Sequence, residues 1–197
     1  MAEVEVPNPD ELHERGGQTF SRRVALTTAI YAIVLSIAAL GGNNAAKEML
    51  LAQQQSSDQW AFYQAKVIRE HQYRGQKMVL ETQLAEPSTV RGAEREKLAA
   101  LAAKFAEEEK RYGAEKKDIE KDAKKLEALR DLFQARDPYF LIAEALLQIA
   151  IVMSSVSILA RSPLIFSFSL VLALVGAVLT TNGYLMVFQL PFLHGGH

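Results

Sequence analysis

Glu144, Gln148 and Asn182 are the side chains best placed for chemistry, because each lies in a long apolar stretch where a polar group has few partners. Glu144 is the one charge between Tyr139 and Ala160, and a carboxylate at membrane depth is costly unless it faces protein or a watery cavity. It stands about two helical turns past Pro138, and Gln148, one turn further, shares its face. The bland role for such a pair is a hydrogen bond between helices; the sharper one is a proton or ion step. A relay needs further ionisable groups at depth, and the last apolar stretch supplies only Thr180, Thr181 and Asn182, none of which titrates. Structural polar contacts are therefore the expectation for Glu144, Gln148 and Asn182.

No other pattern carries a reaction. His13, His71, His194 and His197 lack metal-binding spacing, and His194-Gly195-Gly196-His197 offers only two ligands on a glycine-rich tail. Ser56-Ser57-Asp58 has no histidine placed to complete a triad, no glycine-rich phosphate loop occurs, and Glu107 to Glu109 sit in a charge run that reads as solvated helix. The absence of cysteine excludes disulfides, thiolate metal sites and cysteine nucleophiles. With a net charge of -1 and lysines interleaved with acids, nothing draws the chain to nucleic acid. The expectation is a non-enzymatic protein with no catalytic residue, metal, cofactor or small-molecule substrate.

A mean hydropathy of +0.01 conceals a division, with apolar residues at both ends and charges in the middle. Val24 to Leu40, about 17 residues without charge, reaches the lower limit for crossing a hydrocarbon core. Tyr139 to Ala160, about 22 residues, and Leu164 to Gln189, about 26, exceed it. Arg161, Ser162 and Pro163 separate the last two, with Ser162 suited to cap a helix and Pro163 to its first turn. Arg22 and Arg23 resemble the basic region of a signal peptide, but the long acidic leader and the long apolar run read as an uncleaved anchor.

The resulting layout is a flexible acidic tail over 1–20, a first span over 21–42, an extramembrane helical hairpin over 43–137 with its turn near 86–91, spans over 138–161 and 162–190, and a short tail over 191–197. Gly41-Gly42-Asn43-Asn44 reads as a helix end and hinge. Ala45–Ala85 and Gly92–Arg136 are rich in helix formers, with Glu107 to Arg111 and Glu120 to Lys124 at ion-pair spacing. Each arm measures roughly 60 to 68 Å at about 1.5 Å per residue, so the arms match in length and an antiparallel hairpin turning at Glu86-Pro87-Ser88-Thr89 returns both ends to one surface. The fold class is all-α: three transmembrane helices and a coiled-coil-like hairpin between the first and second.

Leu98, Phe105, Tyr112, Ile119, Leu126 and Phe133 recur every seven residues and predict a seam. Its companion line, three residues on, holds Leu101 and Leu129 at the ends and Glu108, Glu115 and Asp122 between them, a narrow middle that invites oligomerisation. In the first arm Trp60, Tyr63, Val67 and Met78 share a face, with Ile68 beside them and Phe62 elsewhere; this face packs on the second arm or meets a partner.

Val24 to Ile30, Ser57-Asp58-Gln59-Trp60-Ala61-Phe62-Tyr63-Gln64-Ala65-Lys66 and Leu147-Gln148-Ile149-Ala150-Ile151-Val152, in this order, resemble the bacterial membrane proteins grouped as domain-of-unknown-function family 4337. The resemblance implies three spans with a helical region between the first and second, and brings no activity. The family pattern carries several basic residues between the last two spans, where this chain has only Arg161.

Arg15, Arg22 and Arg23 favour a cytoplasmic N-terminus and a periplasmic hairpin, while Lys121, Lys124, Lys125, Arg130 and Arg136 pull the other way; the first helix usually dominates. The expectation is a multi-pass protein of the bacterial inner membrane whose partners are the bilayer and a second copy or another membrane complex. The alternatives are a small transport or proton-coupled component using Glu144 and Gln148, and an accessory subunit of a membrane enzyme.

Overall fold

The computed structural model describes residues 9–86 and 92–188, with side chains from Gln18 onward. Three helices make up the fold: α1 (Pro9–Ala85), α2 (Ala93–Leu159) and α3 (Pro163–Leu185). All three contain a segment long and apolar enough to cross a membrane. The predicted turn at Pro87-Ser88-Thr89 and the C-terminal tail with His194 and His197 lie outside the described residues.

The helices run on past two of the expected segment boundaries. α1 runs unbroken for 77 residues through Gly41-Gly42-Asn43-Asn44, and it already begins at Pro9, inside the stretch read as a flexible tail. α2 runs for 67 residues through Pro138. At Gly41 and at Pro138 packing overrides local preference. Gly41 is buried against the Phe140 ring, so its missing side chain serves close approach rather than helix termination. Pro138 is followed at once by Tyr139 and Phe140, both essentially inaccessible to solvent, whose burial anchors the helix just beyond the lost N–H.

The seven-residue step extends beyond the range the sequence predicts. From Leu98 to Phe133 every position of the line is buried or half-buried, and the step continues through Phe140, Leu147 and Ser154. α1 carries its own line, with Val24, Tyr31, Ala38, Ala45 and Ala52 buried. A second line four residues on includes Ser56, Tyr63 and Glu70. Small and polar residues dominate these lines on α1, which is why hydrophobicity alone does not reveal them.

The chain divides into two compact units, one taking residues up to Glu48 and from Leu132 onward, the other Met49–Asp131. In the first, Phe20 meets Phe166 edge-on with ring centres 6.0 Å apart, and Tyr184 Oη donates to the Ile37 carbonyl at 3.1 Å, so α1 and α3 run the same way. Thr28 bonds Ser154 at 2.7 Å while Gly41 lies against Phe140, so α2 runs opposite to them. α2 ends at a left-handed Arg161 with φ 47°. The Ser162 N–H returns to the Ser157 carbonyl at 3.1 Å and Arg161 N–H to Ile158 at 3.3 Å, the paired bonds of a Schellman cap. Ser162 occupies the N-cap of α3 with Pro163 next, but its hydroxyl makes no capping bond.

In the second unit α1 and α2 pack together in opposite chain directions, since partners descend along one helix as they ascend along the other. Gln53 accepts from Arg130 at 3.0 Å, Trp60 Nε1 donates to Glu127 at 2.9 Å, and Arg74 Nε donates to Glu109 at 2.7 Å.

Candidate functional site

The first unit is inverted relative to a water-soluble core. Ser154, Ser157 and Ser169 are fully buried, with Ala38, Ala143, Ala150 and Thr180 beside them, while Leu26, Ile30, Ile33, Leu141, Val152, Leu164, Val171 and Val178 face outward. The buried serine and threonine hydroxyls are bonded, with Ser157 donating to the Ser154 carbonyl at 2.7 Å, Ser169 to Phe166 at 2.8 Å and Thr180 to Gly176 at 2.8 Å, whereas the buried Tyr31 hydroxyl has no partner among the described residues. Small residues let the backbones approach. A Cβ on Gly183 would stand 2.8 Å from Phe140 Cζ, and one on Gly176 would stand 2.8 Å from Leu147 Cγ. Gly41 and Gly42 of α1 and Gly183 of α3 thus form a socket around the Phe140 ring, which also meets Tyr184 edge-on at 5.0 Å.

Asn182, Glu144 and Gln148 have three different settings. Asn182 is buried and clasps the chain beyond α3, its Nδ2 donating to the Phe188 carbonyl at 2.8 Å and its Oδ1 accepting the Phe188 N–H at 2.9 Å. Tyr139 Oη donates to the same carbonyl at 3.0 Å. Asn182 therefore organises the end of α3, a role the sequence does not announce. Glu144 is half-buried with its carboxylate against Gly42, and it has no hydrogen bond or ion pair among the described residues. Gln148 points outward. The shared face expected for Glu144 and Gln148 is thus split, one at the contact with α1 and the other on the open side of α2.

In the second unit Trp60, Tyr63 and Val67 are half-buried as expected, with Trp60 and Tyr63 in an edge contact at 5.4 Å. Met78 and Ile68 are exposed instead, as is Phe62. Of the seam residues, Tyr112 is the most buried; it stacks on Tyr73 at 5.6 Å and receives hydrogen bonds from Arg69 and Arg111 at 3.2 Å each. These bonds, chiefly that from Arg69, hold the Tyr112 phenol below its usual range. Ser56 lies in the seam while Ser57 and Asp58 face outward, so they do not form a cluster.

The companion line of the seam is not the one that hydrophobicity selects. Leu101 and Leu129 are exposed, and the inward positions lie four residues beyond the seam line: Ala102, Glu109, Lys116, Ala123 and Arg130. Charges can line a seam when the opposite helix supplies the counter-charge. Glu109 receives Arg74 at 2.7 Å and Lys77 at 2.8 Å, Lys116 pairs with the buried Glu70, and Lys66 reaches Glu115 at 2.5 Å. The middle read as a gap is bridged by ion pairs. Glu108 pairs on its own helix with Arg111 at 2.5 Å, which displaces the expected Glu107–Arg111 pair, while Glu120–Lys124 forms at 2.6 Å.

These ion pairs give the second unit a defined pH response. Glu109 is held below the ordinary value of 4.5 by hydrogen bonds from Lys77 and Arg74, and Glu115 likewise by Lys66. A carboxylate with a lowered folded pKa stabilises fully above its unfolded value and loses that contribution as pH falls through the folded one. Lys77, raised above 10.5 by Glu109, stabilises fully below that value and loses its contribution as pH rises through the raised one. The unfolding midpoint of the full chain in detergent, followed by the emission of its single tryptophan, Trp60, should be flat between about pH 5 and 10 and fall on either side. A midpoint unchanged down to about pH 2.5 would show that the bridges contribute nothing.

The described residues are helical, with small and hydroxyl residues packed around Tyr139, Phe140 and Leu147 inside and large apolar residues outside, and they define a class of helical protein with three membrane-length segments. Within that class the chain belongs to the family described as a domain of unknown function (DUF4337), whose model matches residues 20–186. Neither a curated protein nor a solved structure matches it.

Proposed function

We propose that the protein is a non-enzymatic membrane anchor of the bacterial inner membrane. In this reading three spans hold an antiparallel helical hairpin that serves as a scaffold for self-association or for docking a membrane complex. The observation that carries it is the inverted surface of the first unit: large apolar side chains outside, and serine and threonine hydroxyls inside that bond within the protein. In water such a surface would be an extended aggregation patch, whereas in lipid it is the favoured arrangement. The bridged seam supports the hairpin as a stiff element in an aqueous compartment. Arg22 and Arg23 ahead of the first apolar segment favour an N-terminus inside and a hairpin outside.

Alkaline extraction of native membranes should leave the chain in the pellet, and purification in mild detergent should yield an oligomer or a co-purifying membrane complex. Release by alkali would refute the anchor, and strictly monomeric chain without a partner would refute the scaffold. A phosphatase reporter that works only outside the cytoplasm should be active when inserted at Thr89, and an inactive fusion would reverse the orientation.

A further inference from the structure

We propose that the outward face of α2 in the first unit is a self-association surface, closed by hydrogen bonds between Gln148 amides of two copies of this chain. The inference rests on the membrane reading above and names the partner.

Polar side chains on the lipid-facing surface are otherwise accounted for. Thr27, Ser36, Ser155, Ser167 and Thr181 are exposed or half-buried hydroxyls, and each donates to the carbonyl four residues earlier at 2.9 to 3.1 Å. Gln148 carries two N–H donors and a carbonyl acceptor, and among the described residues none of them has a partner. Hydrocarbon tails offer neither donor nor acceptor. A glutamine amide is self-complementary: across a two-fold axis each copy donates to the other's carbonyl, as an isologous contact requires.

The surroundings fit a second helix. Leu141, Ala145, Gln148, Val152, Ser155 and Leu159 are all exposed and alternate four and three residues apart, the spacing of a helix-pairing stripe. Ala145 permits close backbone approach beside Gln148. No charge lies on the stripe, and Glu144 at its edge is turned to Gly42 of α1. On α1 the outward side chains Leu26, Ile30, Ile33 and Ile37 share this spacing but are wholly apolar, and on α3 the hydroxyls of Ser167 and Thr181 are already bonded within the helix, so neither presents an unbonded amide.

The chain has no cysteine, so single-cysteine variants of the full-length protein report unambiguously. In native membranes treated with copper phenanthroline, Ala145→Cys and Val152→Cys should form disulfide-linked dimers, while Leu26→Cys on α1 and Val178→Cys on α3 stay monomeric. Gln148→Leu in the Ala145→Cys background should lower the association constant, measured by dilution with lipid, by about threefold to thirtyfold. Gln148→Asn, which keeps the amide, should retain most of it. Absence of linkage at Ala145 and Val152, equal linkage at Leu26 or Val178, or indifference to Gln148→Leu would each overturn the inference. Each variant is also tested for resistance to alkaline extraction. An oligomer by light scattering without α2 linkage leaves the scaffold reading standing, whereas alkali release of the wild-type chain removes it.

Discussion

Gly183→Val is expected to destabilise the three-helix unit by about 1–3 kcal/mol, because its added carbon atoms must enter space held by the Phe140 ring. The ring cannot swing aside: Gly41 and Gly42 flank it on α1, and Tyr184 meets it edge-on. Gly41→Leu should be worse still, since it would meet both the ring and the Tyr184 hydroxyl, which bonds the Ile37 carbonyl. Phe140→Ala fails in the opposite sense by leaving a cavity, at a cost of about 3–5 kcal/mol. The diagnostic result is the cycle. Phe140→Leu with Gly183→Val should be less damaging than the sum of the two single changes, by about 1 kcal/mol. Denaturation of the full chain in mixed micelles, followed by circular dichroism, measures each arm, and strict additivity would mean that ring and glycine do not share one space.

Glu70→Ala should loosen the paired helices of the second unit by about 3 kcal/mol, the largest effect of any single charge there. Glu70 is 6% exposed, and its removal strands Lys116 in the seam and removes one partner of Arg74. By contrast, Asp122→Ala removes only an exposed pair with Lys125 and should leave the unfolding midpoint essentially unchanged. Replacing both partners, Glu70→Leu with Lys116→Met, should restore most of the loss, since a packed apolar pair is often no worse than a buried ion pair. Unfolding followed at Trp60 distinguishes these outcomes. Equal effects for Glu70 and Asp122 would mean that burial of the pair is immaterial.

The apolar segments and the α2 seam were legible because composition and a strict seven-residue step report them directly. The seam on α1 was not, because Ala38, Ala45, Ala52, Ser56 and Glu70 are buried for their size or their partners. The same blindness misplaced the companion line: Leu101 and Leu129 looked like inward positions, whereas Glu109 and Lys116 face Arg74, Lys77 and Glu70. A cross-helix charge is readable only once the register of the opposite helix is known. Gly41 and Gly42 misled for a related reason. Their local signal is that of a helix end, and only the buried Phe140 against which they pack explains why the helix continues. Of the polar residues in the apolar stretches, Asn182 was recognisable as a contact but not as a clasp on Phe188, since its partner is backbone.

The Phe140 socket also constrains how such a sequence can drift. Four positions on three helices, Gly41, Gly42, Phe140 and Gly183, share one volume, so a change of size at one alters the room left for the others. A larger residue at any glycine is disfavoured while the phenyl ring remains, and a smaller residue at Phe140 is disfavoured while the glycines remain. Either first step crosses a fitness valley, and descendants of this chain are expected to keep all four or to exchange them together.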